Sequence, residues 1–374
     1  MVMVFFLSLF LVFYAYFGYP LSLWLLKLFN EKNHQREMIS SRVTLIITAF
    51  NEEKRIQEKL ENTLELDYPA EKLQVLVASD GSTDETNEIV RSYADRGVEL
   101  LEVENRGGKE NAQKEAVACA MGDIIVFSDV ATILEPRGLQ EIVSNFADPS
   151  VGCVSSEDRL LGQDGKPSGE GFYVRYEMWL RRLESRVNSL VGLSGSFFAA
   201  RKEVCQDFSG EVQSDFRTLL SSIKLGLRGV SDPEAVGYYL DIADEKREFE
   251  RKVRTVLRGL TVFFSHLEFL DFRKYGFFSY QLFCHKLLRW LVPFFLVAAL
   301  VSNTFLISVS AFYLVMFIGQ LFFYGLAIYG WVKRSLKGAM KIPMFFLVVN
   351  AAIAVAWYQY LVGKRVVLWT PSER

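Results

Sequence analysis

The sequence predicts an α/β domain built on a mostly parallel sheet, flanked by apolar helices at both ends of the chain. Strand-like and helix-like segments alternate from Arg42 to about Leu240, a pattern typical of a parallel sheet covered by helices. The 374-residue chain is 51% hydrophobic, with a mean hydropathy of +0.16. The excess apolar residues are concentrated in terminal stretches of about 20 residues, the length that spans a membrane.

The N-terminal stretch, Met1 to Leu26, contains no charged residue and is long enough to span a membrane. Basic residues follow it, beginning with Lys27 and Lys32. A cleavable signal peptide carries its positive charge before the apolar stretch, so this order predicts a retained anchor. We assign residues 1–36 to the anchor and its linker. Because positive charge favours the cytoplasmic side, the following domain is expected there.

Residues 37–240 are expected to form the α/β domain. Short apolar runs predict its strands, at 43–47, 73–78, 98–103 and 123–127. Amphipathic segments between the runs predict helices, at 52–64, 83–93 and 109–120. Asp84 and Glu85 suit the first turn of the second helix, where the helix dipole favours negative charge.

Polar residues follow three of these strands at the point where each ends. The segments are Thr48–Glu52, Ser79–Asp84 and Ser128–Asp129. A single acid in such a place is usually a helix cap or turn, but three at successive strand ends predict a ligand site, because ligands of these sheets bind at the carboxyl ends of the strands. No GxGxxG follows the first strand, and no GxxxxGK[ST] occurs, which argues against dinucleotide-binding and P-loop domains.

The segment 241–290 mixes basic residues with phenylalanine and leucine. This mixture suits amphipathic helices lying in the membrane surface, with an ordinary soluble amphipathic helix as the alternative. Its basic run, 246–258, suits contacts either with a phosphate ligand or with lipid headgroups.

Residues 291–374 are expected to hold transmembrane helices and a tail. Three apolar stretches approach spanning length, at 291–308, 311–332 and 343–362. Basic residues between the last two predict a cytoplasmic loop; they are Lys333, Arg334, Lys337 and Lys341. Four spans would place the tail outside, whereas Lys364 and Arg365 favour the inside, so three spans and four both stay open.

Composition argues against several other classes of protein. A net charge of -2 gives no reason to expect nucleic acid as a partner. The four cysteines form no CxxC pair, and the three histidines are not paired at metal-ligand spacing, so neither a zinc site nor a disulfide framework is expected. A transporter would need more polar residues within its spans than this chain has.

The motifs together resemble those of glycosyltransferase family 2, the inverting enzymes with a GT-A (nucleotide-diphospho-sugar transferase) fold. The resemblance runs from about Val43 to Gly259. Residues 47–52 resemble the family's nucleotide-contacting loop, residues 77–84 its acidic signature, and residues 108–112 its Gly-Lys loop. Residues 125–132 resemble its metal-binding segment, residues 193–201 its acceptor-side turn, and residues 213–216 its base motif.

The resemblance implies a role for each matching residue. Asp215 would be the general base that deprotonates the acceptor. Asp129 would hold Mg²⁺ or Mn²⁺ against the donor diphosphate. Donor contacts are implied for Ala49, Asn51, Glu52, Asp80, Ser82, Lys109, Ser128, Asp129, Arg251 and Arg254. Acceptor-side contacts are implied for Gly195, Ser196, Tyr176 and Glu177.

The chain departs from the family pattern at three places. Ala131 stands where the family has the second acid of its DxD, so the metal would rest on Asp129, the diphosphate and water, which Mg²⁺ accepts. Ser214 replaces a common glutamate. Residues 251–255 lack the glutamine and tryptophan of the QxxRW motif of processive synthases.

The resemblance implies a membrane transferase that moves a sugar, from UDP most commonly, to a lipid-linked or glycan acceptor in polysaccharide or glycoconjugate biosynthesis. We expect it in a bacterial or archaeal plasma membrane, in contact with membrane lipid, with its catalytic domain in the cytosol. One alternative is a processive synthase that also secretes its polymer. An alternative of another class is a catalytically inactive, nucleotide-binding partner subunit, which Ala131 would suit.

Overall fold

The structure is a computed structural model that describes residues 1–161, 172–208, 210, 214–240, 245–333 and 341–365. The chain divides into two compact units. Most of Leu23–Ala243 forms an α/β unit, whereas Met1–Ser22, Asp244–Phe272 and Ser279–Arg365 form a largely helical unit.

The α/β unit is built on one mixed sheet. Its strands are β1 (Val43–Ala49), β2 (Leu73–Ser79), β3 (Val98–Glu102), β4 (Ile124–Asp129), β5 (Ile133–Leu134), β6 (Val151–Leu161), β7 (Phe197–Arg201) and β8 (Arg228–Leu240). They lie in the order β3-β2-β1-β4-β7-β6-β8-β5. The first four strands in this order are parallel, β7 is antiparallel to β4 and β6, and β6 and β8 are again parallel.

The helices of this unit are α2 (Ile56–Leu64), α3 (Thr86–Arg91), α4 (Lys109–Cys119), α5 (Gly138–Ser144), α6 (Phe172–Val187) and α7 (Ser214–Lys224). Every residue of β1 is buried, as its largely apolar sequence predicts for a central parallel strand covered on both faces. The predicted helix at 83–93 is shorter in the structure, because Asp84 accepts a hydrogen bond from the Thr86 N–H (3.1 Å) and the helix begins only at Thr86.

The helical unit contains much of α1 (Val2–Phe29) together with α8 (Glu245–Ser265), α10 (Phe277–Thr304), α11 (Ala311–Lys333) and α12 (Lys341–Leu361), and a short α9 (Phe272–Tyr275) precedes α10. In the part of the chain that the structure describes, four helices are long and apolar enough to cross a membrane: α1, α10, α11 and α12. Within this unit α1 packs on α10, with Ala15 against Leu288 and Val292. The predicted apolar helices at both ends are therefore confirmed.

The second apolar helix differs from the prediction in where it begins. We expected a surface-lying segment up to residue 290 and a span from residue 291, but α10 is continuous from Phe277. A π-helical turn at Phe283–Leu288 joins its two halves, and Arg289 is buried in the unit, so its charge does not interrupt the helix. The basic residues Arg334 and Lys337 and the tail from residue 366 lie outside the described residues.

Candidate active site

The ends of β1, β2 and β4 meet at one edge of the sheet. Thr48 of β1 is in register with both Ala78 of β2 and Asp129 of β4. Asn51 then turns the chain with a φ of 52°, a left-handed conformation that asparagine tolerates well. Its side-chain oxygen accepts a hydrogen bond from the Thr83 N–H (2.8 Å). A hydrogen bond therefore joins the loops that follow β1 and β2.

Asp80 ties a third loop to this edge. The side chain is fully buried, and its carboxylate accepts hydrogen bonds from the backbone N–H groups of Gly107 and Gly108, each at 2.9 Å. Gly108 has a φ of 93°, which favours glycine. Burial raises the pKa of the Asp80 carboxyl, and the two N–H groups act in the opposite direction. Asp80 therefore fixes the loop that leads into α4.

Glu52 is a second buried acid in the loop after β1. Its carboxylate pairs with Arg55, with 2.7 Å between Oε2 and the guanidinium. Burial raises the pKa of Glu52, Arg55 lowers it, and the negative charges of Asp129 and Asp84 raise it further. Glu52 is thus near enough to Asp129 for the two carboxylates to repel one another.

Lys109 joins the end of β4 to the Ser194–Ser196 turn. The buried ammonium of Lys109 donates to the Asp129 carboxylate and to the backbone carbonyl of Gly195, the latter at 2.9 Å. The Asp129 N–H donates to the carbonyl of Ser196 (3.0 Å). Asp129 itself stays partly exposed. A positive charge is therefore held beside a carboxylate at the mouth of the site.

The Ser194–Ser196 turn brings the expected base to the same place. Asp215 lies in the first turn of α7, and a Cβ added to Gly195 would be 3.3 Å from its Oδ2 atom. The hydroxyls of Ser194 and Ser196 donate to Asp158, at 2.6 and 2.8 Å. Lys109 thus links Asp129 to Gly195, and Gly195 lies beside the Asp215 carboxylate.

Comparison with known proteins agrees with this geometry. Residues 44–208 match the family described as Glycosyl transferase family 2. Residues 44–208, the greater part of the α/β unit, are thus a family 2 glycosyltransferase domain.

The relatives of this glycosyltransferase domain include the poly-beta-1,6-N-acetyl-D-glucosamine synthases of two staphylococci. The protein of Staphylococcus aureus (strain COL) is 26% identical over 194 residues, which cover 50% of this chain and 46% of the relative. That of Staphylococcus epidermidis is 23% identical over 170 residues, covering 44% and 40%. The matched region thus spans less than half the length of these relatives.

Among solved structures, a mannosyltransferase from Pyrobaculum calidifontis, in complex with GDP-Man and Mn²⁺, has a TM-score of 0.76. It is 24% identical, and the match covers 97% of this chain and 100% of that one. The predicted GT-A fold is therefore confirmed.

Several residues that are predicted to contact the donor are buried or hydrogen-bonded within the glycosyltransferase domain. Ala49 is buried, and its carbonyl accepts the Asp80 N–H (2.9 Å). The Ser82 hydroxyl accepts the Asn51 N–H (3.1 Å), and Ser128 is buried beneath Asp129. These residues shape the edge of the sheet, and any contact they make with a donor stays a prediction.

Other predicted residues lie on helices at a distance in sequence. Arg251 and Arg254 belong to α8 in the helical unit, where Arg251 pairs with Glu248 (2.6 Å). Tyr176 and Glu177 lie on α6, and the Tyr176 ring packs against Trp179 with 6.0 Å between centroids. Their donor and acceptor roles stay predictions.

Lys59 is a site residue that the sequence prediction missed. It is fully buried on α2, and its ammonium donates to the Ser128 hydroxyl (2.8 Å) and the Thr132 carbonyl (2.6 Å). Burial lowers the pKa of Lys59 to about 7, and the charge of Asp129 acts in the opposite direction. The sequence did contain a signal that Lys59 is buried, because it falls between Ile56 and Leu60 on the buried stripe of an amphipathic helix.

A divalent metal fits this site only if the donor supplies most of its ligands. Among the described residues there is no group of three or more histidine, cysteine or acidic side chains that could hold a metal ion. Asp129 offers one partly exposed carboxylate. Mg²⁺ commonly takes one or two carboxylates together with substrate phosphates and water, so one carboxylate meets that requirement.

Proposed function

We propose that this protein is a membrane glycosyltransferase that moves a sugar from a nucleotide-sugar donor to a lipid-linked or glycan acceptor, with inversion. The observation that carries the proposal is the pair of hydrogen bonds from Lys109 to Asp129 and Gly195, with Gly195 close to the Asp215 carboxylate, beside a family 2 match over residues 44–208. We infer that the Lys109 ammonium and the Asp129 carboxylate serve the donor, and that the Asp215 carboxylate serves the acceptor.

On the donor side, the chemistry requires positive charge near the departing diphosphate. As the bond to the sugar breaks, negative charge builds on the leaving group and the sugar ring becomes oxocarbenium-like, as in glycoside hydrolysis. The Lys109 ammonium would stabilise that charge from its fixed position beside Asp129. Mg²⁺ or Mn²⁺, when bound at Asp129, would supply Lewis acidity at the diphosphate.

On the acceptor side, Asp215 would accept the proton of the attacking hydroxyl. A general base must come within hydrogen-bond reach of that oxygen, and Gly195 next to it has no side chain to block the approach. A single base on the face opposite the leaving group gives one displacement and therefore inversion.

The apolar helices support a membrane location. Four of them could cross a bilayer, and the basic residues after α1 favour a cytosolic glycosyltransferase domain. Nucleotide sugars would then reach the site from the cytosol, in a bacterial or archaeal plasma membrane, while the acceptor stays in or near the lipid.

The relatives support polysaccharide biosynthesis and leave the donor open between two nucleotides. A poly-N-acetylglucosamine synthase favours UDP, whereas the structural neighbour was solved with GDP-Man. The names of the relatives also favour the second candidate, a processive synthase, and the incomplete QxxRW motif at residues 251–255 counts against it. The length of the product made on a fixed acceptor would separate the two.

The test is release of nucleoside diphosphate by the full chain in detergent. The protein is incubated with a panel of UDP- and GDP-sugars, Mg²⁺ or Mn²⁺, and membrane lipid extract as the acceptor source. We expect metal-dependent release from one donor, lost in Asp129→Ala. Asp123→Ala, at an exposed position directly before the same strand, is the matched control and should retain release.

Other outcomes would contradict this proposal. Donor binding measured by calorimetry, with no release from any acceptor source, would favour the inactive partner subunit. Neither binding nor release would overturn the assignment of a nucleotide-sugar site altogether.

A further inference from the structure

A fully buried lysine lies directly beneath the loop that carries Asp129. Lys59 of α2 donates to the Ser128 hydroxyl at 2.8 Å and to the Thr132 carbonyl at 2.6 Å. Ser128 precedes Asp129 and Thr132 follows it by three residues, so one ammonium holds the loop on both sides of the acid. Ser128 and Thr132 are themselves buried, so these contacts are sheltered from water.

A lysine is a costly choice for this position unless its charge has a use. Burying an ammonium is unfavourable when no opposite charge compensates it. In the described part of the chain, no carboxylate forms an ion pair with Lys59. The neighbouring positions on the same buried stripe, Ile56 and Leu60, show that an apolar side chain suits this face of α2. Packing alone therefore does not account for the lysine.

The loop above Lys59 lacks an anchor that a two-acid metal site has. With acids at both ends of a DxD, a metal can hold the loop at two points, whereas Ala131 here offers no ligand. The loop is closed by the Thr132 N–H, which donates to the Asp129 carbonyl at 3.1 Å. Lys59 adds two hydrogen bonds to that turn from below.

We propose that Lys59 is a positioning residue that fixes the Ser128–Thr132 loop and so holds Asp129 ready for a metal-bound nucleoside diphosphate. The proposal rests on the proposed function and deepens it, because it names what takes the place of the missing second acid. Lys59 does not touch the donor. It acts through the loop, which its two hydrogen bonds hold in place.

The test compares Lys59→Met, which keeps the length of the side chain but not its charge or donors, with the exposed Lys224→Met as matched control. Each full-length variant is titrated calorimetrically with UDP and GDP, with and without Mn²⁺, and its thermal unfolding is recorded. Loss of groups that orient a metal ligand typically weakens binding by roughly 10- to 100-fold. We expect that loss for the Mn²⁺-dependent binding of Lys59→Met, partial recovery in Lys59→Arg, and no change in Lys224→Met.

Unchanged Mn²⁺-dependent affinity in a folded Lys59→Met protein would overturn the proposal and leave Lys59 a structural tie between α2 and β4. If Lys59→Met does not fold, Ser128→Ala decides, because it removes one of the two hydrogen bonds and keeps the charge. A weaker shift in the same direction supports the positioning role, and no shift contradicts it. Failure of the wild type to bind either nucleotide would instead contradict the proposed function.

Discussion

Gly195 is the position where the addition of one methyl group should displace the expected base, Asp215. A Cβ added there would lie 3.3 Å from Oδ2 of Asp215 and 3.7 Å from its Cγ, so the carboxylate must shift by a few tenths of an ångström. A misplacement of 1 Å costs about 100-fold in rate, so on a logarithmic scale a shift of about 0.3 Å predicts a loss of roughly 4-fold. This corresponds to about 0.8 kcal/mol in the activation free energy.

Gly195→Ala should not disturb folding. The φ of Gly195 lies outside the left-handed region, and alanine in a compatible conformation stabilises a fold by about 0.4–1 kcal/mol. The assay is kcat and KM for the donor with the full chain. We expect kcat to fall and the donor KM to stay the same. Gly325→Ala, whose added Cβ meets nothing within 4 Å, is the control.

A double-mutant cycle shows whether Gly195→Ala acts through the base. If the added methyl group works by displacing Asp215, it should cause no further loss in an Asp215→Asn background, because interacting sites are not additive. An equal fractional loss in both backgrounds, or an unchanged kcat in Gly195→Ala, would refute the reasoning.

Three further predictions follow from the site. Asp80→Asn should lower the free energy of unfolding by about 1–3 kcal/mol, since an amide cannot accept both N–H bonds equally well. Thermal unfolding checks this, with the exposed Asp95→Asn as the control, and equal melting temperatures for the two variants would count against it. The pKa of Lys59 is about 7 when folded and about 10.4 when unfolded, so the unfolded chain binds more protons between these values. Stability relative to Lys59→Met should therefore rise from pH 7 to about 10 in chemical denaturation without added metal, and a flat difference would contradict the burial. EDTA should abolish nucleoside diphosphate release and Mn²⁺ restore it, while the melting temperature without substrate stays unchanged; a metal-independent rate would remove Asp129 as a metal ligand.

The parallel half of the sheet could be predicted because its signals are local. The buried run Val43–Ala49 and the polar residues after it are contiguous in sequence. The other half of the sheet, which contains both parallel and antiparallel pairs, depends on distant pairings. β8 contains Pro233, which lacks an N–H for the ladder, and this proline falls where the register between β6 and β8 shifts. Nothing in the local pattern reveals such an irregular strand.

The positions of Glu52, Asp80 and Asp129 could also be predicted, because each lies where a strand ends, whereas Asp215 is implied by the resemblance to the family. The contacts among them could not be predicted. The helical pattern puts Lys59 on the buried stripe of α2, but only the packing of α2 shows that it lies beneath Ser128. Asp158 lies in a polar stretch of β6 and becomes part of the site only when it accepts the hydroxyls of Ser194 and Ser196.

The most direct test of the central claim measures donor binding and sugar transfer on one preparation of Asp215→Asn. The separation of donor and acceptor roles predicts that the donor dissociation constant stays within about 2-fold of wild type while the transfer rate falls by roughly 10²–10⁴, the range typical of a general base. Transfer at the wild-type rate would contradict the claim that Asp215 is the base, and an equal loss of donor binding and transfer would contradict the division of the site into two sides.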